Sequence, residues 1–285
     1  MVLGKYLDIM TVKTTNKVLQ KYSQDGGVAS ALLIHALETG VIEGAIVAMP
    51  TEEPWNPEPY VATTPEEIIA AAGTKYVLCP QNNVLKLAAR EYGLDKIGFV
   101  GMHCLTYAVR KMQLYPFGGR HLPNKMALLV GIFCTENFTY TGMKTIIEEI
   151  HKVNIEHVQK MDVSKGKMIV TSTLGERVEA PMKLTHSYVQ PGCYICPDLT
   201  ARTADISTGS IGSPDGWSTV MPRTQTGKTL FESAVEVGLF ESKPIDPGKF
   251  GMEMLTKLAQ SKWDRAEKTR QERTEIGLPN PFGAL

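Results

Sequence analysis

The sequence lacks an excess of charge of either sign, which narrows the classes of partner that it can bind. Lysine plus arginine and aspartate plus glutamate each total 30 among 285 residues, so the formal net charge is zero. Nucleic-acid-binding domains usually carry a basic excess, and the lack of one argues against a nucleic-acid partner. Near-neutral proteins tend to associate with other proteins. The charge balance therefore favours a protein that works in an assembly.

The chain also lacks a recognisable signal peptide and any stretch that could span a membrane. The opening residues, MVLGKYLDIM, contain too short an apolar run for a secretory signal and include an aspartate. No later apolar run approaches the roughly 20 residues that a membrane span needs. We therefore expect a globular protein in the cytoplasm.

Cysteine is scarce, and its count is odd. The five cysteines are Cys79, Cys104, Cys134, Cys193 and Cys196. An odd number cannot be paired completely in disulfides, and disulfides are rare in cytoplasmic proteins. Metal binding, catalysis or simple burial must therefore explain these thiols.

The most specific cysteine pattern is C-x-x-C-P, formed by Cys193, Cys196 and the proline that follows. Two thiols at this spacing can reach one metal centre, and a proline after the second is familiar from iron–sulfur sites. Cys104 and Cys134 each close an apolar strand, IGFVGMHC and ALLVGIFC. Strand ends on one edge of a sheet can converge, which would supply the missing pair of ligands.

Other interpretations of the cysteines stay open at this point. A redox dithiol or half of a zinc site has the same C-x-x-C spacing, and His103 beside Cys104 leaves a mixed zinc site possible. Cys79, in KYVLCPQN, is most simply a small buried hydrophobic residue.

Helices and strands are mixed along the chain without a regular βαβ alternation. Apolar spacing predicts a helix over residues 28–40, and Thr64 with Glu67 predicts a capping box at the start of another. Alternating residues around Gly175 predict a hairpin within 160–183. Further predicted elements are a strand at 41–49, a helix at 82–92, loops over 191–220 and a charged helix over 247–276. We predict an α+β fold, a mixed sheet with surrounding helices, and not a Rossmann fold.

Two glycines, Gly26 and Gly27, stand at the start of the helix over 28–40, although glycine weakens a helix. A helix N-terminus offers free N–H groups and the positive end of the dipole, and glycine lets the backbone approach a ligand. Ser23 and Asp25 are also good N-cap residues, so plain capping explains the segment equally well.

Two further segments are rich in small polar residues. Residues 207–218, STGSIGSPDGWS, hold three glycines and four serines, which is typical of backbone wrapped around a ligand or of a tight turn. Thr74 and Lys75 follow a helix stop in AAGTKY, where they can reach a phosphate or a flavin carbonyl, although a lysine on a turn is usually only solvated. Together with Gly26 and Gly27, these segments suggest a dinucleotide-sized ligand.

The segments QDGGVASALLIHAL, AAGTKY, RKMQLYPFG, C-x-x-C-P-D and ADISTGSIGSPDGWSTV resemble one family. This family comprises the beta subunits of coenzyme F420-reducing hydrogenases of methanogenic archaea and related F420-linked dehydrogenase subunits. The resemblance covers essentially the whole chain. Several related subunits carry extra ferredoxin-like segments with more cysteines, so the five cysteines here fit the short hydrogenase type.

The resemblance implies FAD, one [4Fe–4S] cluster and a site for F420. Its cluster ligands would be Cys104, Cys134, Cys193 and Cys196, although His103-Cys104-Leu105 departs from the expected Pro-Cys-Gln. Gly26 and Gly27 would let the main chain approach the FAD. The flavin would lie against glycine/serine-rich cofactor loops and their neighbours: Ser23, Gln24, Asp25, Gly26, Gly27, Val28, Thr74, Lys75, Ser207, Gly209, Ser210, Gly212, Ser213, Gly216, Trp217 and Ser218.

The same resemblance implies the organisation of the chain. Residues 1–285 would form a single FAD-, iron–sulfur- and F420-binding unit. Within it, 1–80 would be an N-terminal part that contacts the flavin, 81–246 a core with the cluster cysteines and the Gly/Ser loop, and 247–285 a C-terminal helix and tail.

The implied activity is F420 reduction within a nickel–iron hydrogenase. Hydrogen oxidation delivers single electrons, whereas F420 accepts a hydride, and a flavin can exchange both. No catalytic acid–base pair is needed, so the histidines default to structural roles. A nickel–iron large subunit and a small multi-cluster subunit would be the partners in a larger hetero-oligomer. Candidates for a basic lining around the anionic tail of F420 are Arg110, Lys111, Arg120, Arg202 and Arg223.

Two rival interpretations remain. The chain could serve a formate, sulfite or quinone-linked dehydrogenase, because the sequence does not reveal the docking surface for the electron donor. A zinc-stabilised binding module without catalysis is the rival from another class, and it predicts a colourless protein without flavin.

Overall fold

The computed structural model describes residues 2–116 and 121–282. The strands in this part are β1 (Met10–Thr14), β2 (Gly44–Met49), β3 (Glu58–Ala62), β4 (Ile97–Met102), β5 (Met126–Ile132), β6 (Val158–Ser164), β7 (Lys167–Ser172), β8 (Arg177–Pro181), β9 (Ile206–Gly209), β10 (Ser218–Pro222) and β11 (Phe240–Pro244). The α-helices are α1 (Lys17–Tyr22), α2 (Val28–Glu38), α3 (Pro65–Ala70), α4 (Leu85–Arg90), α5 (His103–Leu114), α6 (His121–Asn124), α7 (Tyr140–Thr145), α8 (Pro191–Tyr194), α9 (Gln225–Glu236) and α10 (Met252–Glu275). Shorter 3₁₀ turns and one π-helical turn, Ile146–Ile150, complete the set.

Eight strands form the main sheet in the order β11-β1-β10-β9-β5-β4-β2-β3. The pairs β2/β4, β4/β5 and β5/β9 are parallel, and the other pairs are antiparallel. The predicted mixed sheet is therefore confirmed. Because parallel strands share an edge for their carboxyl ends, the connections after β2, β4, β5 and β9 begin on the same side of the sheet.

Both faces of the main sheet are covered by helices, because successive residues of a strand point to opposite sides. Leu128 and Val130 of β5 pack in a core with α2 and α9. Leu129, which lies between them, packs in a second core with α4 and α5. With both faces occupied, the ends of the strands are the places where this sheet can build a site.

A separate three-stranded sheet holds β6, β7 and β8. The predicted hairpin is confirmed, since β7 and β8 pair antiparallel and Gly175 lies in their turn at a φ of +83°. Strand β6 adds a third strand that the prediction did not define. Met161 and Val170 of this sheet pack with Phe138 in a core of their own.

The helix predictions hold with small changes of boundary. The capping box at α3 is present, with Thr64 accepting from the Glu67 N–H and the Glu67 carboxylate accepting from the Thr64 N–H. The predicted helix at 82–92 opens as a 3₁₀ turn, Gln81–Val84, and becomes α-helical in α4. Within residues 2–116 and 121–282, no helix has the length and apolar character to cross a membrane.

The prediction of loops over 191–220 was wrong for three of its parts, the first of which, Pro191–Tyr194, is helix α8. Residues 206–209 and 218–222 are β9 and β10, an antiparallel pair inside the main sheet. Small polar residues can occupy buried strands when their hydroxyls are satisfied locally. Here Ser207 Oγ donates to the Ala201 carbonyl and Thr219 Oγ1 donates to the Ile211 carbonyl.

Candidate functional site

Two of the four candidate ligand cysteines follow neighbouring parallel strands. Cys104 lies in the first turn of α5, directly after β4, and Cys134 lies two residues beyond the end of β5. Cys104 is thus on a helix and not at the end of a strand, because α5 begins at His103. The parallel pairing of β4 with β5 still places both cysteines at one edge of the sheet.

The C-x-x-C segment is tied to the same edge by main-chain hydrogen bonds. Cys193 lies in α8, and Cys196 is buried just after it. The Cys134 N–H donates to the Leu199 carbonyl at 2.9 Å, and the Gln190 N–H donates to the Asn137 carbonyl at 2.8 Å. These bonds join the chain on both sides of the C-x-x-C segment to the connection that follows β5.

The thiols of Cys104, Cys134 and Cys193 lie close enough to the other candidate ligands for their ionisation to be affected. Burial raises the pKa of Cys134 to about 12 against the opposing charge of Lys262, and negative charge on the other three cysteines adds to the rise. Cys104 is an exposed residue, yet enough protein surrounds its sulfur that desolvation, followed by charge on Cys196 and Cys193, raises its pKa to about 11. Burial raises the pKa of Cys193 as well.

Cys79 stands apart from this group. It is buried, and burial raises the pKa of its thiol to about 12. Its charged neighbours are Lys75 and Glu58, and none of the other cysteines affects it. This placement is consistent with the prediction that Cys79 is a small buried hydrophobic residue.

The four cysteine sulfurs limit which metals this edge of the sheet could bind. Within residues 2–116 and 121–282, no three His, Cys, Asp or Glu side chains are grouped closely enough to hold a metal ion as they stand. Electrostatic effects between thiols extend over longer distances than a bond from sulfur to a metal does. Four sulfur donors suit zinc or an iron–sulfur cluster and not calcium or magnesium, and a metal would have to displace their protons.

A buried contact between His103 and Asp198 joins the two cysteine segments. His103 Nδ1 lies 2.7 Å from Asp198 Oδ2, and Arg202 Nε lies 3.4 Å from the same oxygen. Burial by itself raises the pKa of Asp198, but the hydrogen bond and charge of His103, with the charge of Arg202, bring it well below its ordinary value. Sequence reasoning missed Asp198, although its position directly after C-x-x-C-P was an available signal. The geometry gives His103 a structural role.

Contacts and backbone conformation within the protein explain why residues 26 and 27 are glycines. A Cβ on Gly26 would lie 2.5 Å from the Val12 carbonyl oxygen and 2.8 Å from the Ser218 nitrogen, so strands β1 and β10 leave no room for a side chain. Gly27 is the N-cap of α2 at a φ of +68°, a conformation that favours glycine. Close packing of backbone therefore accounts for Gly26, and the left-handed conformation accounts for Gly27, without a ligand.

The three segments predicted to hold a dinucleotide-sized ligand do lie together. The Asp25 carboxylate accepts hydrogen bonds from the Ser210 side chain and the Gly216 N–H, and burial raises its pKa. The Gly26 N–H donates to Ser218 Oγ at 3.1 Å. The turn at 73–75 adjoins this region, since a Cβ on Gly73 would lie 3.0 Å from the Tyr22 carbonyl oxygen.

Several predicted ligand-contacting residues are occupied by contacts within the protein. Ser207 Oγ accepts from Arg223 Nε, Ser213 Oγ bonds Thr11 and Thr219, and a Cβ on Gly209 would meet Phe133 Cβ at 2.4 Å. Val28 is buried in the core, and Gln24 donates to the Met161 carbonyl. Gly212 and Gly216 have positive φ, and the ammonium groups of Lys13 and Lys243 lie over the Trp217 ring. These residues are therefore held by contacts or backbone conformation within the protein itself.

Lys75 is not a solvated surface lysine. Its Nζ donates to the carbonyls of Ala71, Ala72 and Gly73 at 2.6, 2.7 and 2.9 Å, which are the C-cap of α3 and the two residues that follow it. Burial lowers the pKa of Lys75 to about 8. Thr74 precedes it in the same turn and is half-buried.

Ser23 presents an unsatisfied hydroxyl at this place. Its Oγ is buried and has no hydrogen-bond partner in the described structure. A buried hydroxyl without a partner costs roughly 1–3 kcal/mol, so native proteins rarely retain one without a reason. A ligand with a polar edge against the Ser23–Val28 segment would satisfy it, which fits a flavin better than an apolar molecule.

The residues predicted to line an anionic tail are mostly committed elsewhere. Arg110 pairs with Asp205 at 2.9 Å. Arg202 pairs with Asp198, and Arg223 is buried among backbone carbonyls. Lys111 lies over the Tyr107 ring, and Arg120 is outside the described residues. The three described arginines are therefore structural.

Comparison with known proteins assigns the chain to a family. Two family models match it, the N-terminal part of the coenzyme F420 hydrogenase/dehydrogenase beta subunit over residues 9–86 and the C-terminal part over 94–248. Coenzyme F420 hydrogenase subunit beta of Methanothermobacter thermautotrophicus is 50% identical across 99% of this chain and 100% of that protein. The corresponding subunit of Methanosarcina barkeri is 47% identical across 98% of each.

A solved structure agrees with these relatives. A chain of the F420-reducing [NiFe] hydrogenase complex from Methanosarcina barkeri superposes with a TM-score of 0.96 at 46% identity, and the match covers 99% of this chain and 98% of that one. Fold, length and sequence thus agree from one end to the other. The chain belongs to the coenzyme F420 hydrogenase/dehydrogenase beta-subunit family.

Proposed function

We propose that this chain is the F420-reducing subunit of a nickel–iron hydrogenase complex. In this role it takes single electrons through a [4Fe–4S] cluster, pairs them on FAD and passes a hydride to F420. The observation that carries the proposal is the end-to-end match to F420 hydrogenase beta subunits and to a chain of the F420-reducing [NiFe] hydrogenase complex. The neighbouring thiols of Cys104, Cys134, Cys193 and Cys196 support the cluster part of it.

The chain's own residues would hold the cluster at the carboxyl edge of β4 and β5. Cys104 and Cys134 follow those strands, and hydrogen bonds to the β5 connection fix the C-x-x-C segment beside them. The buried pair of His103 and Asp198 holds Cys104 near Cys196. The protein thus contributes a fixed frame and sulfur ligands, and such a frame tunes a cluster through burial and hydrogen bonding.

FAD would lie against the Ser23–Val28 segment, the turn at 73–75 and the 207–218 segment. When bound, it supplies an exchange between single electrons and hydride pairs. The hydrogen bonds of Asp25 with Ser210 and Gly216 hold two of these segments together, and the Ser23 hydroxyl is free to accept or donate toward a ligand. No side chain is assigned as an acid or a base, because hydride transfer between stacked rings depends on placement.

The proposed partners follow from the single cluster that this chain would hold. Four cysteine ligands serve one cluster, so hydrogen activation and a longer electron relay would belong to other subunits: a nickel–iron large subunit and a small multi-cluster subunit. The similarity to a chain of an F420-reducing [NiFe] hydrogenase complex supports such a hetero-oligomer. We place the complex in the cytoplasm.

A dehydrogenase role is the second candidate, because the matching family models describe hydrogenase and dehydrogenase beta subunits alike. The full-length match to hydrogenase subunits favours the first. Copurification separates them, since the hydrogenase role predicts nickel in the native complex. A zinc-stabilised module is refuted by a purified native chain that contains iron and flavin.

Paired cysteine variants test the cluster assignment. After anaerobic reconstitution with iron, sulfide and FAD, we expect Cys196→Ser to lose most of the bound iron and Cys79→Ser to retain it, because only Cys196 lies with the other thiols. Iron and acid-labile sulfide analysis, with EPR of the reduced protein, measures the result. A full cluster in Cys196→Ser, or equal loss in both variants, contradicts the assignment.

A further inference from the structure

The buried side of helix α10 contains a lysine. Its buried residues are Leu255, Ala259, Lys262 and Ala266, at spacings that form one stripe along the helix. Lys262 is only 6% exposed, whereas Lys257 on the same helix is exposed. Lysine is almost never buried unless a partner compensates its charge. The position therefore calls for negative charge close by.

No carboxylate supplies that charge. Lys262 Nζ donates to the Cys134 carbonyl, and among the described residues no carboxylate oxygen lies within 4.0 Å of it. Glu136 is near, but its carboxylate is held by Arg265, with Nη1 at 3.0 Å from Oε2. An ammonium taken out of water costs several kcal/mol unless a charge or several dipoles replace the water.

Lys262 Nζ contacts the backbone of Cys134, one of the four candidate ligands. Its positive charge acts on the thiols of Cys104, Cys134 and Cys193, lowering the pKa of each against the effect of burial. Once these cysteines act as ligands they are thiolates, and the sulfurs carry the negative charge that Lys262 lacks. The lysine is therefore placed to compensate a metal-bound set of sulfurs.

Arg265 fixes the position of Lys262 relative to the cysteines. It lies three residues further along α10, and its guanidinium contacts the Thr135 carbonyl at 3.1 Å and the Glu136 carboxylate. The same guanidinium lies 5.7 Å from the centre of the Tyr194 ring, beside Cys193. Helix α10 is thus attached both to the connection after β5 and to the C-x-x-C segment.

We propose that Lys262 holds a fixed positive charge beside the cluster sulfurs and thereby raises the reduction potential of the cluster. This inference rests on the proposed function, which supplies the cluster. Reduction adds an electron, so a nearby cation stabilises the reduced form more than the oxidised form. Net charge and hydrogen bonding near the sulfurs are established determinants of such potentials.

Three variants of the full chain, reconstituted anaerobically, test the inference by redox titration with EPR detection. Lys262→Met removes the charge and keeps an unbranched apolar side chain, Lys262→Arg keeps the charge, and Lys257→Met is the matched change on the exposed side of α10. At a fixed applied potential, we expect Lys262→Met to lower the ratio of reduced to oxidised cluster at least about tenfold, a shift of about 59 mV. Lys257→Met should match the wild type, and Lys262→Arg should lie close to it.

The possible outcomes separate the charge of Lys262 from the shape of its side chain and from the cluster assignment. Loss of iron from Lys262→Met but not from Lys262→Arg, with both folded by circular dichroism, also supports a need for the charge. An unchanged potential with full iron in Lys262→Met overturns the inference and leaves the cluster assignment intact. Loss of iron from both Lys262 variants overturns it as well, because shape and not charge would then matter. A wild-type chain that binds no iron refutes the proposed function itself.

Discussion

Adding one methyl group at Gly26 should destabilise the whole fold, because the residue lies between two strands. An alanine Cβ there would be 2.5 Å from the Val12 carbonyl oxygen and 2.8 Å from the Ser218 nitrogen, and backbone atoms cannot move away as a flexible side chain can. Overpacking of this kind costs about 1–3 kcal/mol. Displacement of the backbone at residue 26 also weakens the hydrogen bond from the Gly26 N–H to Ser218 Oγ. Such a hydrogen bond contributes about 1 kcal/mol to stability. We expect a loss of about 2–4 kcal/mol.

Thermal unfolding of the chain without added cofactors measures this loss. At ~2.1 cal/mol/K per residue, the 285-residue chain has an unfolding entropy of about 0.6 kcal/mol/K, so Gly26→Ala should lower the Tm by about 3–7 °C. The matched control is Gly192→Ala, where a Cβ meets nothing within 4 Å and φ is not positive. It should leave the Tm within about 2 °C. Equal Tm values for the two variants would refute the close approach of the strands at Gly26.

Two further predictions concern the turns around Asp25. Burial lowers the pKa of Lys75 to about 8, below the ~10.4 of an unfolded chain, so between these values the unfolded state binds more protons at this residue and its contribution to stability rises with pH. The buried thiols, whose pKa values are raised, lower stability over the same interval in both proteins, so urea unfolding at about pH 7.5 and 9.5 should show a wild type that gains stability relative to Lys75→Met as the pH rises; an equal change with pH in the two proteins contradicts this. Ser23→Ala removes an unsatisfied hydroxyl, so the stability of the flavin-free chain should not fall, while FAD affinity drops about five- to tenfold by fluorescence titration. Unchanged affinity would remove Ser23 from the flavin site.

The sequence was informative where a local rule determines the outcome. The capping box at Thr64 and Glu67 and the hairpin around Gly175 depend on neighbouring residues, and both were predicted correctly. The approach of Cys104 and Cys134 was also predictable, because two apolar strands that end alike bring their ends to one sheet edge when they pair in parallel. The first two features need only neighbouring residues, and the third needs only that these two strands pair in parallel.

Features that depend on distant partners escaped prediction. Serine and glycine in the 207–218 segment favour turns and so predict a loop, yet pairing with β5 and with β1 makes β9 and β10 strands of the main sheet. The sequence offers capping or approach to a ligand as reasons for Gly26, and the close approach of β1 and β10, a further reason, is visible only in the fold. Lys262 looked like one charge among many on a polar helix, and only its burial against the Cys134 connection distinguishes it.

The most direct test of the central claim is an anaerobic electron-transfer assay on the full chain loaded with FAD, iron and sulfide. Reduced F420 is mixed with an oxidised viologen dye, a one-electron acceptor, and the absorbances of both are followed. The account predicts viologen reduction coupled to F420 oxidation, two dye molecules for each F420, and a dependence on bound FAD. A chain that carries full flavin and iron yet shows no turnover, or turnover that is independent of FAD, would contradict the account.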